Sequence, residues 1–445
     1  MTPRASRGVS PLVVVLALAL AQACTPRPTG SDSGVAHTDG GSGSGDAAAQ
    51  DAATHDAAGA DAAVVVDAGR PDAAEPVDAA LPVDAAAPVD AAAPPDAAAP
   101  VDAGRPFEDY GPAGTPLPVI GYGAGTRGGF QDGGDTVVVT SLDDDGPGTL
   151  RDALRTGGVP RVITFSMDGV IPLSTALIVP ANVTVDGRGH SITLSGKGLV
   201  VPGSDEVILT SLTISDVGPN SEDGLQIGSG LPDPSEHVVV DHLSFLQTGE
   251  GGNATHVDEA ISVVFGSTDI TIAWCDFQHW EKIMLFGNGD APAELDGRMR
   301  ITVHHNHGLD TGRRHPQARY GNFHFFNNAW EDWRMWGPAF LDPFPESFGA
   351  QAQDGARMRV EHTCVFRVPH AFETFSQAND VTRCETGGDI VGTGFWVDPA
   401  TTAPLAFGSG CSGVNGPALP YVVVPETADA VLRDKLRARA GNTLR

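Results

Sequence analysis

The stretch "DITIAWCDF", Asp269 to Phe277, decides the fold class because similar stretches recur along the chain. Its apolar and polar residues alternate over a few positions, which is the period of a half-buried β-strand. Related runs are "RVITF" at 161, "NVTVDG" at 182, "EVILTSLTI" at 206, "HVVVDHLSF" at 237, "RITVHHNHG" at 300, "NFHFFNNAW" at 322 and "RMRVEHTCVF" at 357. Several share one form, in which alternating apolar residues are followed by a polar pair and then by an aromatic or aliphatic residue.

A repeated strand–turn unit with variable insertions is typical of a solenoid. We therefore predict an all-β fold, a single-stranded right-handed parallel β-helix, with glycine-rich insertions forming loops on one side. A β-sandwich is the alternative, but its turns are normally shorter and more uniform.

Both ends of the solenoid have sequences that differ from the repeats. In Thr140–Leu154 a break at "GPG" separates a strand-like run from a helical start, where Leu150, Ala153 and Leu154 are spaced to cover an apolar end. This segment predicts the N-terminal cap that a solenoid needs to protect its first rung. The tail Glu426–Asn442 is predicted to be a helix lying against the side of the coil.

The N-terminus has the pattern of an export signal, predicted over residues 1–23. Arg4 and Arg7 precede the apolar run "PLVVVLALALA", and the small residues of "AQAC" follow. Cleavage after Ala23 would leave Cys24 first, so both simple secretion and lipid modification of Cys24 remain open. The predicted location is secreted or outer-surface lipoprotein, with no membrane contact other than a lipid anchor at Cys24.

Residues 24–106 are predicted to be a disordered linker of Asp, Ala and Pro repeats, and residues 107–445 the β-helical domain. In the linker, Asp recurs every five or six residues, as in "PVDAAAPVDAAAPPDAAAPVDAG". Evenly spaced like charges repel one another, prolines favour extended chain, and little varied apolar surface is available to offset the ordering entropy. A stalk and a solubilising spacer are both compatible with this composition.

The charge of the chain excludes some partners. The formal net charge is −29, and residues 106–445 hold 42 acidic and 22 basic side chains, a net charge of −20. Such a domain repels nucleic acid and anionic membrane surfaces. An anionic polymer could bind only at a local basic patch, so a cluster of arginines on this chain is informative.

The cysteines favour a disulfide in the C-terminal part. Cys364–Cys384 and Cys384–Cys411 are both close enough in sequence to pair in an exported protein. Cys275, inside an apolar strand, is predicted to be a buried core residue. The cysteine spacing does not match a zinc site.

The basic patch is predicted at "RRHPQAR", where Arg314 and Arg319 can project into one groove and bind carboxylates in a planar, bidentate way. Stacked rungs would bring Lys282, from the preceding repeat, towards Arg314. Surface ion pairs are the alternative for the two arginines, and a solvated surface charge is the alternative for Lys282. Trp residues near this patch can stack on sugar rings or pack in the core; they are Trp330, Trp333 and Trp336.

An acidic group is predicted beside the basic patch. "NSEDGLQI" contains Glu222 and Asp223, and "THVDEAIS" contains Asp258 and Glu259. Carboxylates on neighbouring rungs are the hard oxygen ligands that Ca²⁺ requires. Two ordinary acidic turns on an acidic protein are the alternative.

Taken in order, these motifs resemble the pectate lyase superfamily, polysaccharide lyase family 1. The resemblance rests on "VVVDHLSF", "VDEAISVVFGSTDITIAWCDF", "EKIMLFG", "ITVHHNHG", "RRHPQARYGNFHFFNNAW" and "MRVEHTCVF", preceded by "VVVTSLDDDGPGTLRDAL". It extends over roughly residues 118–370. Any one of these motifs alone would be weak, whereas their agreement in order and spacing is specific.

The resemblance implies a parallel β-helix that cleaves an acidic polysaccharide, pectate or pectin, by β-elimination. A monomer is the default expectation. Arg314 would be the catalytic base. Lys282 and Arg319 would bind substrate, and Asp223 and Asp258 would be ligands of Ca²⁺. Because neighbouring cations disfavour the charged form of the base, the optimum is predicted to be alkaline.

One departure from the family affects the metal. Two further acidic positions of the family fall on Leu225 and Ser262 here, so the calcium site would be weaker, completed by Glu222 or Glu259, or lost. The last case would correspond to the calcium-independent pectin lyases, which act on methyl-esterified polymer. A non-catalytic carbohydrate-binding surface protein is another alternative, whereas a hydrolase would need further clustered aspartates.

Overall fold

The structure is a computed structural model that describes residues 101–102, 110–155, 159–218, 223–228, 234–248, 258–288, 297–331, 348–366, 379–385, 387–399, 401 and 405–443. The predicted export signal lies outside the described residues, as does the predicted linker apart from residues 101–102. Glu222, Trp333 and Trp336 lie outside them as well.

The described chain is built almost entirely of short strands. These are β1 (Val101–Asp102), β2 (Asp135–Val139), β3 (Arg161–Phe165), β4 (Gly169–Pro172), β5 (Leu177–Ile178), β6 (Val183–Asp186), β7 (Ile192–Ser195), β8 (Leu199–Val201), β9 (Val207–Thr210), β10 (Thr213–Ser215), β11 (Leu225–Ile227), β12 (Glu236–Asp241), β13 (Ser244–Leu246), β14 (Glu259–Val263), β15 (Thr268–Ala273), β16 (Asp276–Gln278), β17 (Lys282–Phe286), β18 (Arg300–His304), β19 (His307–Leu309), β20 (Gln317–Arg319), β21 (Asn322–Phe326), β22 (Ala329–Glu331), β23 (Phe348–Gln353), β24 (Arg357–Glu361), β25 (Cys364–Phe366), β26 (Asn379–Cys384), β27 (Asp389–Thr393), β28 (Trp396–Val397), β29 (Leu405–Ala406) and β30 (Val423–Val424). The α-helices are α1 (Leu150–Arg155) and α2 (Ala430–Arg439), and two 3-10 helices span Tyr122–Gly125 and Gly128–Phe130.

The strands form three long parallel sheets. The first sheet has the order β2-β3-β6-β9-β12-β15-β18-β21-β24-β27. The second sheet is β4-β7-β10-β13-β16-β19-β22-β25-β28, and the third, which we call the cleft sheet, is β5-β8-β11-β14-β17-β20-β23-β26-β29. Successive strands in the chain pass from one sheet to the next, and each strand pairs with its counterpart one turn later. The predicted parallel β-helix is therefore confirmed, and β1 with β30 forms a separate pair.

The core fills the interior of the coil with stacked side chains. On the first sheet one such row is Leu209, Val240, Ile272, Val303, Phe325 and Val360, joined by strand register. All six are buried. Burying an aliphatic or aromatic side chain of this size contributes about 1.5–3 kcal/mol. The apolar residues that gave each repeat its alternation thus form one continuous core.

The corner after the first sheet explains the polar pair in the repeats. In each of six successive turns, the residue directly after the strand has a positive φ between 49° and 58°; these residues are Ser211, His242, Trp274, His305, Asn327 and His362. A left-handed residue turns the chain sharply, and Asn and His adopt that conformation more readily than most side chains. The residue directly after the strand therefore forms the corner of the coil. It is the second residue of the polar pair in Asp241-His242, His304-His305 and Glu361-His362, and the first in Asn327-Asn328.

Both predicted end structures are present. Helix α1 places Leu150, Ala153 and Leu154 in the core next to Val139 and Ile163, as expected for a cap. Helix α2 begins after Asp429, whose carboxylate accepts hydrogen bonds from two backbone N–H groups of the first turn.

Helix α2 packs on the outside of the coil, where Leu432 and Leu436 join a buried cluster with Trp274 and Phe366. Charged groups reinforce this contact, and we call them the α2 network: His305, His307, Glu331, Glu426, Lys435 and Arg437.

Cys384 and Cys411 form a disulfide, so the second of the two predicted pairings is present. Cys275 is a free, buried thiol, as predicted, and Cys364 is also free and buried. Trp330 lies in the core rather than on the surface. Within the described part of the chain, neither helix is long and apolar enough to cross a membrane.

Candidate active site

All five predicted site residues lie on consecutive rungs of the cleft sheet, and four of them meet in one cluster. Asp223 lies two positions before β11, Asp258 directly before β14, Lys282 opens β17, and Arg314 lies between Lys282's bridge partner Arg313 and β20. Because neighbouring strands lie about 4.8 Å apart, this register brings together residues that are dozens of positions apart in sequence.

The acidic residues converge as the sequence predicts, and Glu259 joins them. One carboxylate oxygen each from Asp223, Asp258 and Glu259 lies within 4.8 Å of the others. The Glu259 backbone N–H donates to Asp223 Oδ1 at 3.0 Å, which fixes the two rungs relative to each other. Three convergent carboxylates are the donor set of an oxygen-coordinated divalent cation.

The acidic group is held at an electrostatic cost that a cation would relieve. Burial is the main cause of the raised pKa of Asp223, which is about 7, and the neighbouring Asp258 carboxylate acts in the same direction. A hydrogen bond from Ser262 and the charges of Lys282 and Arg314 act in the opposite direction without cancelling the increase. Positive charge placed among these carboxylates favours their ionised form.

Two cations contact the acidic group directly. Lys282 Nζ lies 2.8 Å from Asp258 Oδ1, and the Arg314 guanidinium contacts the Glu259 carboxylate. We call Asp223, Asp258, Glu259, Lys282 and Arg314 the cleft cluster. It contains three carboxylates and two cations.

The backbone at Arg314 is in an unusual conformation. Its φ is +64°, a left-handed value that costs free energy for a residue with a side chain. Hydrogen bonds hold it in place: Met284 N–H donates to the Arg314 carbonyl at 2.8 Å, and His315 N–H donates to the Gly349 carbonyl at 2.9 Å. The rungs on either side therefore hold Arg314 in this conformation. The conformation in turn sets the direction of the Arg314 side chain.

A buried ion pair behind the cluster was not predicted from the sequence. Arg313 Nε lies 3.3 Å from Glu281 Oε1, with both side chains largely buried. The Arg313 N–H also donates to the Glu281 carbonyl at 2.6 Å. Gly312 allows this approach, because a Cβ there would lie 2.4 Å from the Glu281 carbonyl oxygen. In the sequence, two charged doublets point to this pair: Glu281-Lys282 and Arg313-Arg314. In each doublet the second residue belongs to the cleft cluster and the first to the buried ion pair.

Arg319 is the predicted site residue that the structure does not bring into the cleft cluster. It ends β20, where Nη1 donates to the Gly287 carbonyl at 2.9 Å and Nε lies 3.4 Å from Asp354 Oδ2. Both partners lie outside the cluster. Its role in binding a substrate carboxylate therefore stays a prediction.

The two positions that depart from the family pattern differ in the structure. Leu225 points into the core and is fully buried, so it has no place in the acidic group. Ser262 faces the cleft and hydrogen-bonds to Asp223. With Glu259 as the third carboxylate, the residues present fit a calcium ion. A second group of potential ligands, Cys384, Asp389 and Cys411, contains the disulfide and does not fit one.

The cleft beside the cluster has a volume of about 440 Å³. Its lining combines carboxylates with neutral and apolar side chains: Ala176, Gly198, Leu199, Val200, Asp223, Gln226, Asp258, Glu259, Ser262, Val264, Phe265, Leu285 and Asn288. It is open along the sheet rather than enclosed, which suits a chain-like ligand better than a small molecule.

Comparison with known proteins identifies relatives of this chain. The family described as "Pectate lyase" matches residues 123–409. A pectate lyase of Nicotiana tabacum is 34% identical over 237 residues, which is 49% of this chain and 57% of the tobacco protein. This chain thus spans little more than half the length of that relative.

Solved structures share the fold. The major cedar pollen allergen jun a 1 superposes with a TM-score of 0.57 at 25% identity, over 73% of this chain and 92% of the allergen. A pectate lyase bound to a hexasaccharide superposes with a TM-score of 0.58 at 17% identity, over 76% of this chain and all of that one. At 17% identity the likeness concerns the fold alone.

Proposed function

Because the chain belongs to the pectate lyase family, we propose that it cleaves an acidic polysaccharide of the polygalacturonate type by β-elimination. The observation that carries the proposal is the cleft cluster, in which an arginine and a lysine lie among three carboxylates on adjacent rungs. The open cleft fits a polymer, and the hexasaccharide bound by a relative of the same fold is consistent with such a ligand.

The chemistry follows from the substrate. A uronide carries a carboxylate at C6, so the proton on C5 is acidic once negative charge on that carboxylate is stabilised. In our proposal Arg314 accepts the C5 proton, a C4–C5 double bond forms, and the C4–O bond breaks. The leaving oxygen then takes a proton from solvent. Water does not attack the sugar, so the paired acid and base of a glycoside hydrolase are not required.

The residues around Arg314 set its readiness to accept a proton. The Glu259 carboxylate in contact with it stabilises the charged guanidinium, whereas the positive charge of Lys282 opposes it. Arg319, which the sequence placed among these cations, lies outside the cluster. The alkaline pH optimum stays a prediction. The opposing effects of Glu259 and Lys282 on the charge of Arg314 decide how far that optimum lies above neutral pH.

Asp223, Asp258 and Glu259 would hold a calcium ion. When bound, calcium would supply positive charge that neutralises uronate carboxylates at the site. Lys282 would bind a substrate carboxylate, and Arg319 would contact a carboxylate further along the polymer.

Ultraviolet absorbance of the unsaturated product tests the function. We expect a rise with polygalacturonate and Ca²⁺ that EDTA abolishes. A rise that survives EDTA and is stronger on fully methyl-esterified pectin would instead favour a calcium-independent pectin lyase. If neither polymer gives unsaturated product while both bind, the non-catalytic alternative replaces our proposal.

Export and assembly belong to the proposal as well. We propose that residues 1–23 are removed, that residues 24–106 form a linker to a domain at 107–445, and that the mature protein is a secreted or lipid-anchored monomer without a nucleic-acid partner. Intact mass of the mature protein distinguishes free from lipid-modified Cys24. Light scattering of the mature protein tests the monomer.

A further inference from the structure

Strand β30 lies on the outside of the coil, where side chains hold it at both ends. Before the strand, Tyr421 Oη lies 2.7 Å from Thr302 Oγ1 and 2.9 Å from His324 Nδ1. After it, Asn327 Nδ2 donates to the Glu426 carbonyl at 2.7 Å, and the Glu426 N–H donates to Asn327 Oδ1 at 2.9 Å. These contacts fix the strand on the coil without using the backbone groups of β30 itself.

The backbone of β30 pairs with the linker. In the described part of the chain β30 belongs to none of the three long sheets, and its only strand partner is β1. The pairing is parallel, with Val101 opposite Val423 and Asp102 opposite Val424. A strand edge outside a sheet is a template for an extended segment, because its N–H and C=O groups need partners. The linker thus contributes a strand to the domain at residues 101–102.

The side chains of β30 divide between the coil and the outside. Val423 packs against Ile120 and Phe326. Its neighbours Val422 and Val424 are 47% and 60% exposed. An exposed strand rich in valine tends to pair with other chains unless an extended segment occupies its edge. An occupant of this edge is therefore favourable for the protein.

The linker contains the residues of β1 a second time. Within "PVDAAAPPDAAAPVDAG", residues 88–104, the sequence Pro-Val-Asp-Ala occurs at 88–91 and again at 100–103. Midway between them, at 94–97, the sequence is Pro-Pro-Asp-Ala. Pro95 has no backbone N–H and a restricted φ, and both disfavour strand pairing. Val89–Asp90 can therefore replace Val101–Asp102 beside β30, whereas Pro95-Asp96 cannot.

We propose that β30 docks the linker at either of two positions, Val101–Asp102 or Val89–Asp90, and so sets the length of linker that is free. A change from the first position to the second moves 12 residues from the free linker into the loop behind the docked pair. These residues span at most about 40 Å when extended. The linker would then be a tether of two lengths rather than a fixed spacer. The inference does not depend on the reaction that the domain catalyses.

Disulfide trapping tests both positions in the whole chain. Val424→Cys is combined in turn with Asp102→Cys, Asp90→Cys or Asp96→Cys, and Cys24→Ser removes a competing thiol. Mass spectrometry of peptides measures each disulfide after mild oxidation. We expect Asp102→Cys to react fastest, because the register places Asp102 opposite Val424.

The order of the other two variants decides the proposal. Asp96 is closer to the domain than Asp90, so chain closure alone would favour Asp96→Cys by about 1.7-fold. Docking of Val89–Asp90 should reverse this order and favour Asp90→Cys by about threefold, the effect of one backbone hydrogen bond. Equal rates, or a faster Asp96→Cys, would overturn the second position. Disulfides found only between two chains would overturn docking within one chain.

Amide hydrogen exchange of Val423 and Val424 gives a test without added thiols. Val101→Pro creates the pattern already present at 95–96 and should change the exchange rate by less than about twofold, because Val89–Asp90 takes its place. Adding Val89→Pro should raise the rate by about threefold. If the single variant raises exchange as much as the double variant, only one position docks and the proposal is wrong. Unchanged exchange in both variants would show that the linker does not cover β30, which also overturns it.

Discussion

The cleft cluster and the α2 network are both groups of carboxylates and cations on the outside of one coil, yet their electrostatics are opposite. In the cleft, burial and a neighbouring carboxylate raise the pKa of Asp223 to about 7. In the α2 network, burial alone would raise the pKa of Glu331, but hydrogen bonds from His307 and Arg437 lower it to about 2.

The difference lies in how many donors each carboxylate has. Glu331 accepts from His307 Nε2 at 2.8 Å and from the Arg437 guanidinium, and helix α2 covers it. Glu426 receives His305 and Lys435, which lower its pKa to about 2 against the effect of burial. The cleft cluster instead has three carboxylates for two cations and lies open. We infer that the paired carboxylates of the α2 network hold helix α2 in place, whereas the surplus of negative charge in the cleft cluster leaves it able to bind a cation.

Replacement of the proposed base gives the largest expected effect. Arg314→Lys should lower kcat by about a thousandfold, within the range for loss of a general base, because an ammonium in that place is charged and shorter. Stopped assays on polygalacturonate measure the rate, and calorimetry should show that oligomer binding is retained.

Arg300→Lys is the matched control for Arg314→Lys. Arg300 is also paired with a carboxylate, that of Asp269, but it lies on the first sheet, away from the cleft. An equal loss of activity in both variants would show that Arg314 has no special role in the reaction.

Breaking the α2 network should affect stability and leave chemistry unchanged. Glu331→Gln leaves His307 and Arg437 facing a neutral amide at a buried position, which costs about 3 kcal/mol of unfolding free energy. Urea denaturation measures the loss, and kcat per folded molecule should equal that of the parent.

Asp434→Asn provides the comparison on the same helix. Asp434 is 64% exposed and pairs with arginines at the surface, so its change should stay within about 0.5 kcal/mol. If Glu331→Gln lowers kcat of the folded protein, the α2 network and the cleft cluster are coupled rather than independent.

The α2 network should also make stability depend on pH. Burial tends to lower the pKa of His307, but hydrogen bonds to Asp276 and Glu331 outweigh it and raise the pKa from 6.5 to about 9. Folding therefore favours the protonated form of His307. The stability that this protonation contributes is complete below pH 6.5 and is lost as the pH rises through about 9. We expect a decrease of about 2 kcal/mol over that interval.

Urea denaturation at several pH values checks this trend, with His307→Gln as the reference. The variant should be less stable at pH 6 and should show a flatter profile above it. Because activity is predicted to rise with pH, activity and stability would change in opposite directions. A parent profile as flat as that of the variant would show that His307 is not protonated in the folded protein.

The smallest effect is expected behind the cleft. Arg313→Gln removes one partner of the buried pair with Glu281, which lies between the backbones that carry Lys282 and Arg314. We expect kcat to fall by about fivefold with KM little changed, since misplacement of the base affects the transition state more than binding.

The double variant Arg313→Gln, Glu281→Gln restores a neutral, hydrogen-bonding pair and should recover part of kcat. A loss of thermal stability in Arg313→Gln with unchanged kcat would assign the pair to folding alone.

The chain's own sequence determined the solenoid, its cap, helix α2 and the set of site residues to examine. Strand alternation follows from which side chains face the core, and Leu150, Ala153 and Leu154 are spaced for an apolar end. These features depend on residues close together in the chain, so local pattern suffices. The choice of Cys411 as the partner of Cys384 needed the structure, because both pairings were compatible with spacing.

Only the tertiary structure decided which charged residues meet. Glu259 joins Asp223 and contacts Arg314, Arg313 pairs with Glu281, and Arg319 lies apart from the cluster. Loops of different length separate these residues, so sequence spacing cannot give the register that stacks them about 4.8 Å apart. The direction of each side chain, into the core as at Leu225 or into the cleft as at Ser262, is fixed by that register, and with it the partners that each charge acquires.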